Sequence, residues 1–322
     1  MILALLIAIL LPALTILWFF IMLFSTKPDT EKPVTWRWAF SLIAPLAIAF
    51  YGLHKKSLNQ SGAAAGLIIG FLLTISSIRF MMSLLAFFIF ASKATKFKAA
   101  KKRIIESDFK EGGQRNWVQV LSNGGPAAML AILYMFEVGS VDVPIDFAKR
   151  YSASWYAVGI MAALACSSGD TFASEIGTAV GNHDPFHLVT FKRVPRGTNG
   201  AVSFYGTLSS LVGGLIVGLA FYITELLIIN AEALVVSPKQ WPIVLYGGLA
   251  GLSGSVIDSL LGGTLQYSGK HRKLGFIVDN KSPDVEYIAG REILDNHSVN
   301  LISSLMTGLL LPHIAAKTWA LL

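Results

Sequence analysis

The sequence predicts an all-α polytopic membrane protein, in which a bundle of transmembrane helices forms one integral membrane domain over residues 1–322. Two observations on composition predict this class. The chain is 54% hydrophobic and only 14% charged, whereas soluble domains carry about 25% charged residues. Its 29 glycines cluster in the apolar runs, as expected of helices that associate in lipid through close packing of small residues.

Nine apolar segments are candidate membrane spans, because a helix needs ~20 apolar residues to cross a bilayer. The third and fourth segments are short, and they predict either a tight hairpin or one broken re-entrant pair. The nine segments are residues 1–24, 36–53, 61–77, 79–93, 117–138, 152–176, 201–229, 241–264 and 298–320.

The basic residues predict the orientation of these spans. The net charge is +7, which in a membrane protein indicates positive cytoplasmic loops and not a nucleic-acid partner. On the nine-span topology, 18 of the 26 Lys and Arg residues fall on one side. We therefore expect a cytoplasmic N-terminus and a C-terminus across the membrane, and an endomembrane is the favoured location. The single cysteine excludes an intramolecular disulfide.

The loop 93–115 carries eight of these basic residues. One interpretation is a surface helix bound to anionic lipid headgroups, at ~1 kcal/mol for each basic residue near the surface. The other interpretation is a cationic wall over a phosphate site.

The most informative polar stretch ends the span 152–176, where Asp170, Ser174 and Glu175 occur among small residues. A carboxylate at membrane depth costs ~3 kcal/mol on insertion scales, so it usually faces a partner or a wet cavity. The stretch predicts a polar pocket that holds a divalent cation. The alternative is a helix that has just left the bilayer, with both carboxylates solvated.

The span 117–138 is also polar at one end, and it contains Pro126. Proline inside a run of apolar residues predicts a kink or an unwound turn beside a cavity, and the alternative is an ordinary helix with a polar interface. The polar residues include Arg115, Asn116 and Asn123.

The segment 192–200 has the composition of an anion site, since cations, glycines and a hydroxyl lead into a helix N-terminus. The alternative is a positive cytoplasmic turn. The predicted phosphate-binding residues are Lys192, Arg193, Arg196, Gly197, Thr198 and Asn199.

A third polar group surrounds Asp258, which lies well within an apolar run, and it continues to Asn296 and Asn300 at the start of the last span. We interpret His297 as an interfacial polar residue and assign no partner to Glu225.

Two blocks of the chain resemble each other. Residues 152–229 and 241–320 each contain a span with an Asp, a basic loop, and a span that opens with Asn and Val. Both blocks begin on the same side, which predicts a parallel internal repeat. Asp170 and Asp258 would then lie symmetrically about one cavity, and chance similarity is the alternative.

Five sets of residues along the chain match a known family: Lys55–Leu58 with Ser61–Ala63, Glu111–Val120, Ser167–Thr171 with Ala173–Glu175, Pro195 with Gly197–Gly200, and Gly247–Gly251 with Asp258–Ser259. They resemble the transmembrane protein 19 family, first catalogued as domain of unknown function 92. One plant branch of this family is a chloroplast phytyl-phosphate kinase. The family is also distantly similar to dolichol kinases and phosphatidate cytidylyltransferases, which use CTP and a divalent metal on lipid substrates.

The resemblance implies specific roles. Gly169–Thr171 with Ser174 matches the metal and nucleotide motif of those lipid enzymes, and Lys192–Thr198 matches their basic Gly-Thr loop. Arg196 stands where the lipid kinases carry an acidic residue.

The leading hypothesis is a phosphotransferase that acts on a lipid or isoprenoid phosphate at the cytoplasmic face, with CTP or another nucleoside triphosphate as donor. Asp170 and Asp258 would hold Mg²⁺, and Glu175 is a third catalytic candidate. Phosphoryl transfer requires mainly positioning and charge neutralisation. The alternatives are a cation- or proton-coupled transporter, which needs access from both sides, and a non-enzymatic lipid-binding protein.

Overall fold

The computed structural model describes residues 12–16, 19–20, 35–97, 113–180 and 184–322. Helices dominate this part of the chain, as the sequence predicts. Their bounds are α1 Thr35–His54, α2 Gln60–Ser76, α3 Ile78–Lys96, α4 Trp117–Glu137, α5 Tyr151–Val180, α6 Phe204–Ile228, α7 Ala231–Val235, α8 Pro242–Leu265 and α9 Asn296–Thr318.

Six of the described helices are long and apolar enough to cross a membrane, namely α1, α3, α4, α6, α8 and α9. Helix α2 is apolar but has only 17 residues, and α5 has 30 residues with more polar side chains. Each predicted span from 36–53 to 298–320 therefore corresponds to one described helix. The nine-span count is approximate, because most of the first span lies outside the described residues. Residues 98–112 of the predicted lipid-binding loop also lie outside them.

Helix α5 forms the centre of the bundle. Its residues from Ala157 to Ala165 are almost completely buried, and it packs mainly against α6, α8, α9 and α4. Glycines allow its backbone to approach α8 closely: a Cβ atom on Gly169 would lie 2.5 Å from the Cα of Gly251. The small residues of the sequence thus set the spacing between these helices, as in other membrane bundles.

Helices α2 and α3 form a tight hairpin and not a broken re-entrant pair. Ser77 alone separates them, and its hydroxyl caps α3 by accepting a hydrogen bond from the Arg79 amide at 3.2 Å. The Ser77 hydroxyl also donates to Asp142, which follows the end of α4. At the other end of the hairpin, the Asn59 amide donates to the Arg115 carbonyl at 3.1 Å. The hairpin therefore extends through the bundle.

The bundle has two distinct ends. The basic end is formed by residues 55–59, 113–116, 184–203 and 266–295, and the opposite end by residues 77, 138–150 and 229–241. Helix α4 is continuous through Pro126, so the predicted unwound turn is absent from this helix.

Two small antiparallel sheets lie at the basic end, and the sequence reasoning did not predict them. Strands β1 Phe186–His187 and β2 Ala201–Val202 pair with His187 opposite Ala201. The second sheet is formed by strands β3 Ser268–His271, β4 Ile277–Val278 and β5 Val285–Ala289, in the spatial order β4–β3–β5.

The proposed repeat units therefore share one layout. Helices α5 and α8 run from the opposite end to the basic end, and a loop with a small sheet connects each to a returning helix, α6 or α9. The parallel repeat and the single domain remain predictions.

Four charged side chains form a buried cluster at the opposite end, which we call the ion cluster. The Arg79 guanidinium lies 2.7 Å from a carboxylate oxygen of Glu225, and both side chains are fully buried. Arg79 Nε also lies 3.7 Å from Asp142, which pairs in turn with Arg37. Glu225 thus has a partner 146 residues earlier in the chain, which no local pattern in the sequence indicates.

Candidate functional site

A polar cavity of about 620 Å³ occupies the basic end of the bundle. It lies among α4, α5, α6, α8 and the start of α9, under the two sheet-containing loops. Twelve predicted site residues line it: Arg115, Asn123, Asp170, Ser174, Glu175, Arg196, Gly197, Thr198, Asn199, Asp258, Asn296 and Asn300.

Two carboxylates from different helices face this cavity. Asp170 lies on α5 next to the contact between Gly169 and Gly251, and Asp258 lies two turns further along α8. The close helix contact brings the two half-buried carboxyl groups near enough to interact electrostatically. Glu175, on the next turn of α5, also interacts with Asp170. The cavity therefore concentrates negative charge on its inner wall.

Helix α9 fixes the position of Asp258. The Ser303 hydroxyl donates to Asp258 Oδ2 at 2.9 Å. With its amide nitrogen turned toward Asp258, Asn300 donates to the same oxygen at 3.2 Å and to the Asn296 carbonyl at 3.0 Å. These bonds orient the carboxylate through Oδ2, and neither of them involves its second oxygen, Oδ1.

The glycine loop 197–200 covers the opposite wall of the cavity. Three hydrogen bonds fix Asn199. Its backbone N–H donates to Ser268 Oγ at 3.0 Å, and its side-chain amide donates to the Tyr267 carbonyl at 3.1 Å and to Asp279 at 2.9 Å. Gly200 has φ +76°, and a Cβ atom there would lie 2.5 Å from the Cα of Gly263. Only glycine satisfies both the backbone angle and the close approach.

Arg115 supplies a cation at the edge of the cavity. Its backbone N–H donates to the Ser57 carbonyl at 3.1 Å and its guanidinium donates to Ser92 Oγ at 2.9 Å. Burial lowers the pKa of Arg115, and the charge of Glu175 partly opposes this effect. Neighbouring Asn116 lies outside the cavity, where it caps α4 in a reciprocal capping box with Gln119.

Lys192 and Arg193 do not belong to the cavity, contrary to the predicted grouping. The segment folds back on itself, with the His187 N–H donating to the Lys192 carbonyl at 2.8 Å. The Arg193 guanidinium lies 4.7 Å from the centre of the Phe186 ring and donates to the Asp184 carbonyl. Both side chains are exposed on the outer edge. Of the three predicted cations, the structure places Arg196 alone at the cavity wall.

Several residues of the cavity wall were not predicted from the sequence. Gln119, Gln266 and Asp279 line it, and His297 does so although it was interpreted as interfacial. Gln266 Nε2 and His297 Nδ1 are buried without a hydrogen-bond partner among the described residues. Buried polar atoms normally have partners, so these two atoms indicate a polar ligand or water in the cavity. Gln266 begins the polar stretch that follows α8, and this position is the sequence signal that could have indicated it.

Behind the glycine loop lies His187, which is buried against Gly263. Its Nδ1 accepts a hydrogen bond from the Thr190 amide at 3.2 Å. Burial lowers the pKa of His187, so the imidazole is neutral near pH 7 and supports the loop without adding charge.

The carboxylates fit a weakly held Mg²⁺ better than a dedicated metal cage. Within the described ranges, no group of three or more His, Cys, Asp or Glu side chains is placed to hold a metal. Magnesium commonly binds through one or two carboxylates, with water and substrate phosphates as its other ligands. Asp170 and Asp258 would supply two carboxylates of this kind from the cavity wall.

Comparison with known proteins identifies the family. The pattern of the integral membrane protein family DUF92 matches residues 43–308, most of the chain. The chain belongs to the DUF92 family. Among its DUF92 relatives, Protein PGR of Arabidopsis thaliana is 40% identical over 280 residues, covering 87% of this chain and 96% of the relative. An uncharacterized membrane protein of Methanocaldococcus jannaschii is 27% identical over 84% of this chain and 91% of its own length.

The name of a third relative includes an organelle. Protein VTE6, chloroplastic, of Arabidopsis thaliana is 29% identical over 180 residues, covering 55% of this DUF92 chain and 51% of the relative. No solved structure matches the chain. The family membership and the membrane location are thus established, whereas the names of these relatives specify no reaction for this protein.

Proposed function

We propose that this DUF92 protein is a phosphotransferase that moves a phosphoryl group from a nucleoside triphosphate to a lipid or isoprenoid phosphate. The reaction would take place at the basic end, which we expect to face the cytoplasm. The family resemblance to CTP-dependent lipid enzymes agrees with this reaction class, and CTP is the first donor to test.

One observation carries the proposal: a single cavity combines paired carboxylates, cations and a glycine loop. Asp170 and Asp258 lie on its inner wall, while Arg115, Arg196 and the loop 197–200 lie around them. A phosphoryl-transfer site needs these elements, because its transition state is stabilised mainly by positioning and charge neutralisation. Backbone N–H groups of a glycine loop and Arg side chains bind phosphate oxygens.

Each group has a defined role in this proposal. Asp170 and Asp258 would hold Mg²⁺, which when bound neutralises charge on the transferred phosphate. Glu175 keeps the inner wall acidic, Arg196 with the Gly197 N–H would bind the donor phosphates, and Arg115 would bind the phosphate of the acceptor lipid. The N–H groups of Thr198 and Asn199 are bonded to Pro195 and Ser268, so these two residues shape the loop. Asn300 and Ser303 orient Asp258 through the hydrogen bonds described above.

The shape of the bundle favours transfer chemistry over transport. The cavity is confined to the basic end, and below it the centre of α5 is packed without exposed side chains from Ala157 to Ala165. A transporter must open to each membrane face in turn. Among the described residues the cavity lies at one end of the bundle, and this one-sided position supports an enzyme that acts on a membrane-bound substrate.

The test is transfer of labelled γ-phosphate from CTP, and separately from ATP, to isoprenyl monophosphates by the purified protein with Mg²⁺. The Asp170→Asn variant should lose roughly a hundredfold or more of the rate, because metal charge stabilisation is worth several kcal/mol. Asp184→Asn is the matched control, since Asp184 is exposed and lies outside the cavity.

The same assay distinguishes the role of Arg196 from that of Arg193. Arg196→Gln should raise the KM for the nucleotide about tenfold or more, as expected for loss of a charge-assisted hydrogen bond, whereas Arg193→Gln should leave it unchanged. Absence of product with every lipid and donor, from protein shown to be folded, would contradict the kinase proposal and make flux through proteoliposomes the next measurement.

A further inference from the structure

One tight turn occurs twice at the basic end, after β1 and after β3. The first example is residues 187–192, which we call the Phe191 turn. The His187 N–H donates to the Lys192 carbonyl at 2.8 Å, and the His187 carbonyl accepts from the Phe191 N–H at 2.9 Å. The imidazole closes the turn, because its Nδ1 accepts from the Thr190 N–H at 3.2 Å.

The second example is residues 271–276, which we call the Gly275 turn, and it has the same bonds at the same positions. The His271 N–H donates to the Phe276 carbonyl at 3.0 Å, and the His271 carbonyl accepts from the Gly275 N–H at 2.8 Å. The His271 Nδ1 accepts from the Leu274 N–H at 3.4 Å. The two segments therefore adopt one backbone arrangement with different sequences.

The two turns differ at the residue that has a positive φ. This angle is +79° at Gly275 and +53° at Phe191. Glycine adopts a positive φ without steric cost, whereas a bulky side chain there is an outlier. Such strain persists where the side chain has another use. Phe191 is 80% exposed, so its use lies outside the packed core of the described residues.

Other exposed apolar and basic side chains surround Phe191. Phe186 is 51% exposed and Val189 is 40% exposed, and Lys192 and Arg193 are exposed beside them. The described lining of the cavity includes neither cation, so the proposed phosphoryl transfer does not use them. Aromatic and basic side chains together are favoured in the headgroup layer of anionic membranes.

The Phe191 turn lies close to the point where α6 begins. Phe186 pairs with Val202, two residues before Phe204, the first residue of this candidate membrane span. Phe204 is 78% exposed, as expected of an aromatic ring at a membrane boundary. The turn is also bonded to the glycine loop of the cavity, because the Leu188 N–H donates to the Gly200 carbonyl at 2.9 Å.

We propose that the Phe191 turn docks on the membrane leaflet at the basic end. Phe191 inserts among the lipid headgroups, while Lys192 and Arg193 bind the phosphates of anionic lipids. Charge complementarity makes an anionic lipid surface the occupant. The proposal does not rest on phosphoryl transfer. It links the lipid composition of the leaflet to the wall of the cavity through the bond between Leu188 and Gly200.

The experiment measures the depth of the turn with the full chain in nanodiscs. Thr190→Cys carries the fluorophore NBD and leaves Phe191 in place. The native Cys166 is buried, so wild-type protein treated with the same reagent is the blank. The nanodiscs contain phosphatidylcholine with or without phosphatidylglycerol, and part of the phosphatidylcholine carries a nitroxide near the top of one acyl chain.

We expect the lipid nitroxide to quench the probe at residue 190, and to quench it more strongly when phosphatidylglycerol is present. Aqueous iodide should quench the same probe weakly. Ser282→Cys provides the aqueous reference, since Ser282 is an exposed residue between β4 and β5. A probe at residue 282 should show the reverse pattern.

The decisive variant is Phe191→Gly in the Thr190→Cys protein. Quenching by the lipid nitroxide should fall about threefold, because membrane binding scales with the apolar area that is inserted. The denaturant midpoint of unfolding in detergent should stay the same or rise, because glycine adopts the positive φ freely. A ring that served the fold would instead lower the midpoint when removed.

A second variant tests the cations. Lys192→Gln with Arg193→Gln should lose the increase in quenching that phosphatidylglycerol causes. Arg272→Gln with Lys273→Gln is the matched control, because it removes two exposed positive charges from the Gly275 turn, and it should retain that increase.

Equal quenching with and without Phe191 would overturn the insertion of this ring, and an increase that survives in Lys192→Gln with Arg193→Gln would overturn the anionic-lipid assignment. A probe at residue 190 that is protected from iodide but not quenched by the lipid nitroxide would place a protein surface over the turn, and the membrane assignment would be wrong. These measurements use no nucleotide, so failure of the kinase proposal would leave them unchanged.

Discussion

The two ends of the bundle both contain buried charge, but they use it differently. In the ion cluster, Arg79 and Glu225 are in direct contact and fully buried. At the basic end, Asp170 and Asp258 interact as like charges beside a cavity of about 620 Å³. The opposite charges of the ion cluster compensate each other within the protein. The like charges beside the cavity lack such compensation, and this suits them to a cationic ligand.

This difference distinguishes a structural role from a functional one. A buried ion pair satisfies its own charges, and loss of either partner leaves the other uncompensated. Two neighbouring carboxylates destabilise each other until a cation is bound. Substitutions at the ion cluster should therefore change stability, and substitutions at the cavity should mainly change activity.

The largest expected effect is at the ion cluster. Glu225→Ala should lower the free energy of unfolding by about 3–5 kcal/mol, because it leaves the Arg79 charge buried without its closest partner. The measurement is denaturant unfolding of the purified protein in detergent. The double variant Arg79→Met with Glu225→Leu should recover most of this loss, since apolar replacement of both partners removes the buried charge.

The Asp170→Asn variant provides the comparison. It removes one of three neighbouring like charges, so its free energy of unfolding should equal or exceed that of the wild type while transfer is lost. A loss of stability at Asp170 as large as that at Glu225 would show that both ends serve the fold, and the distinction between them would be wrong.

A smaller effect is expected in the glycine loop. Gly200→Ala should lower the free energy of unfolding by about 1–3 kcal/mol, because residue 200 has a positive φ. The overlap of the new Cβ with Gly263 should add to this loss and weaken nucleotide binding. Gly275→Ala is the matched control, because Gly275 also has a positive φ but its added Cβ meets nothing within 4 Å. Equal losses in both variants would show that the contact with Gly263 does not matter.

The smallest effect concerns the cap of α9, the helix that orients Asp258. Asp295 accepts a hydrogen bond from the Ser298 amide at 2.7 Å, and the bonds from Ser298 lower the pKa of Asp295. A carboxyl group whose pKa is lowered on folding contributes stability above its unfolded pKa of about 3.9, and this contribution is lost as pH falls through the folded pKa.

Asp295→Ala should therefore lower the free energy of unfolding by about 1 kcal/mol at pH 7. The difference in unfolding free energy between this variant and the wild type should shrink as the pH falls below about 4. The measurement is the unfolding free energy against pH. Ser203→Ala, which removes the uncharged cap of α6, should cost a similar amount at every pH. A constant difference for Asp295→Ala would mean that the cap acts without its charge.

The sequence was informative where the signal is local. Apolar length located the long helices, and the carboxylates at Asp170 and Asp258 with the loop 197–200 indicated the polar site. Contacts between distant segments carried no such signal. Thus Glu225 had no assigned partner, and the fold of segment 184–193, which directs Arg193 to Phe186, could not be inferred from its basic composition.

The ion cluster also constrains the order in which the protein assembles. Arg79 and Glu225 are 146 residues apart, so at ordinary translation rates the α2–α3 hairpin enters the membrane on the order of 10 s before α6 is made. During that interval Asp142 is the nearer acidic partner to emerge. A nascent chain truncated before Glu225 would retain an incompletely paired cation within lipid, and we expect membrane quality control to degrade it.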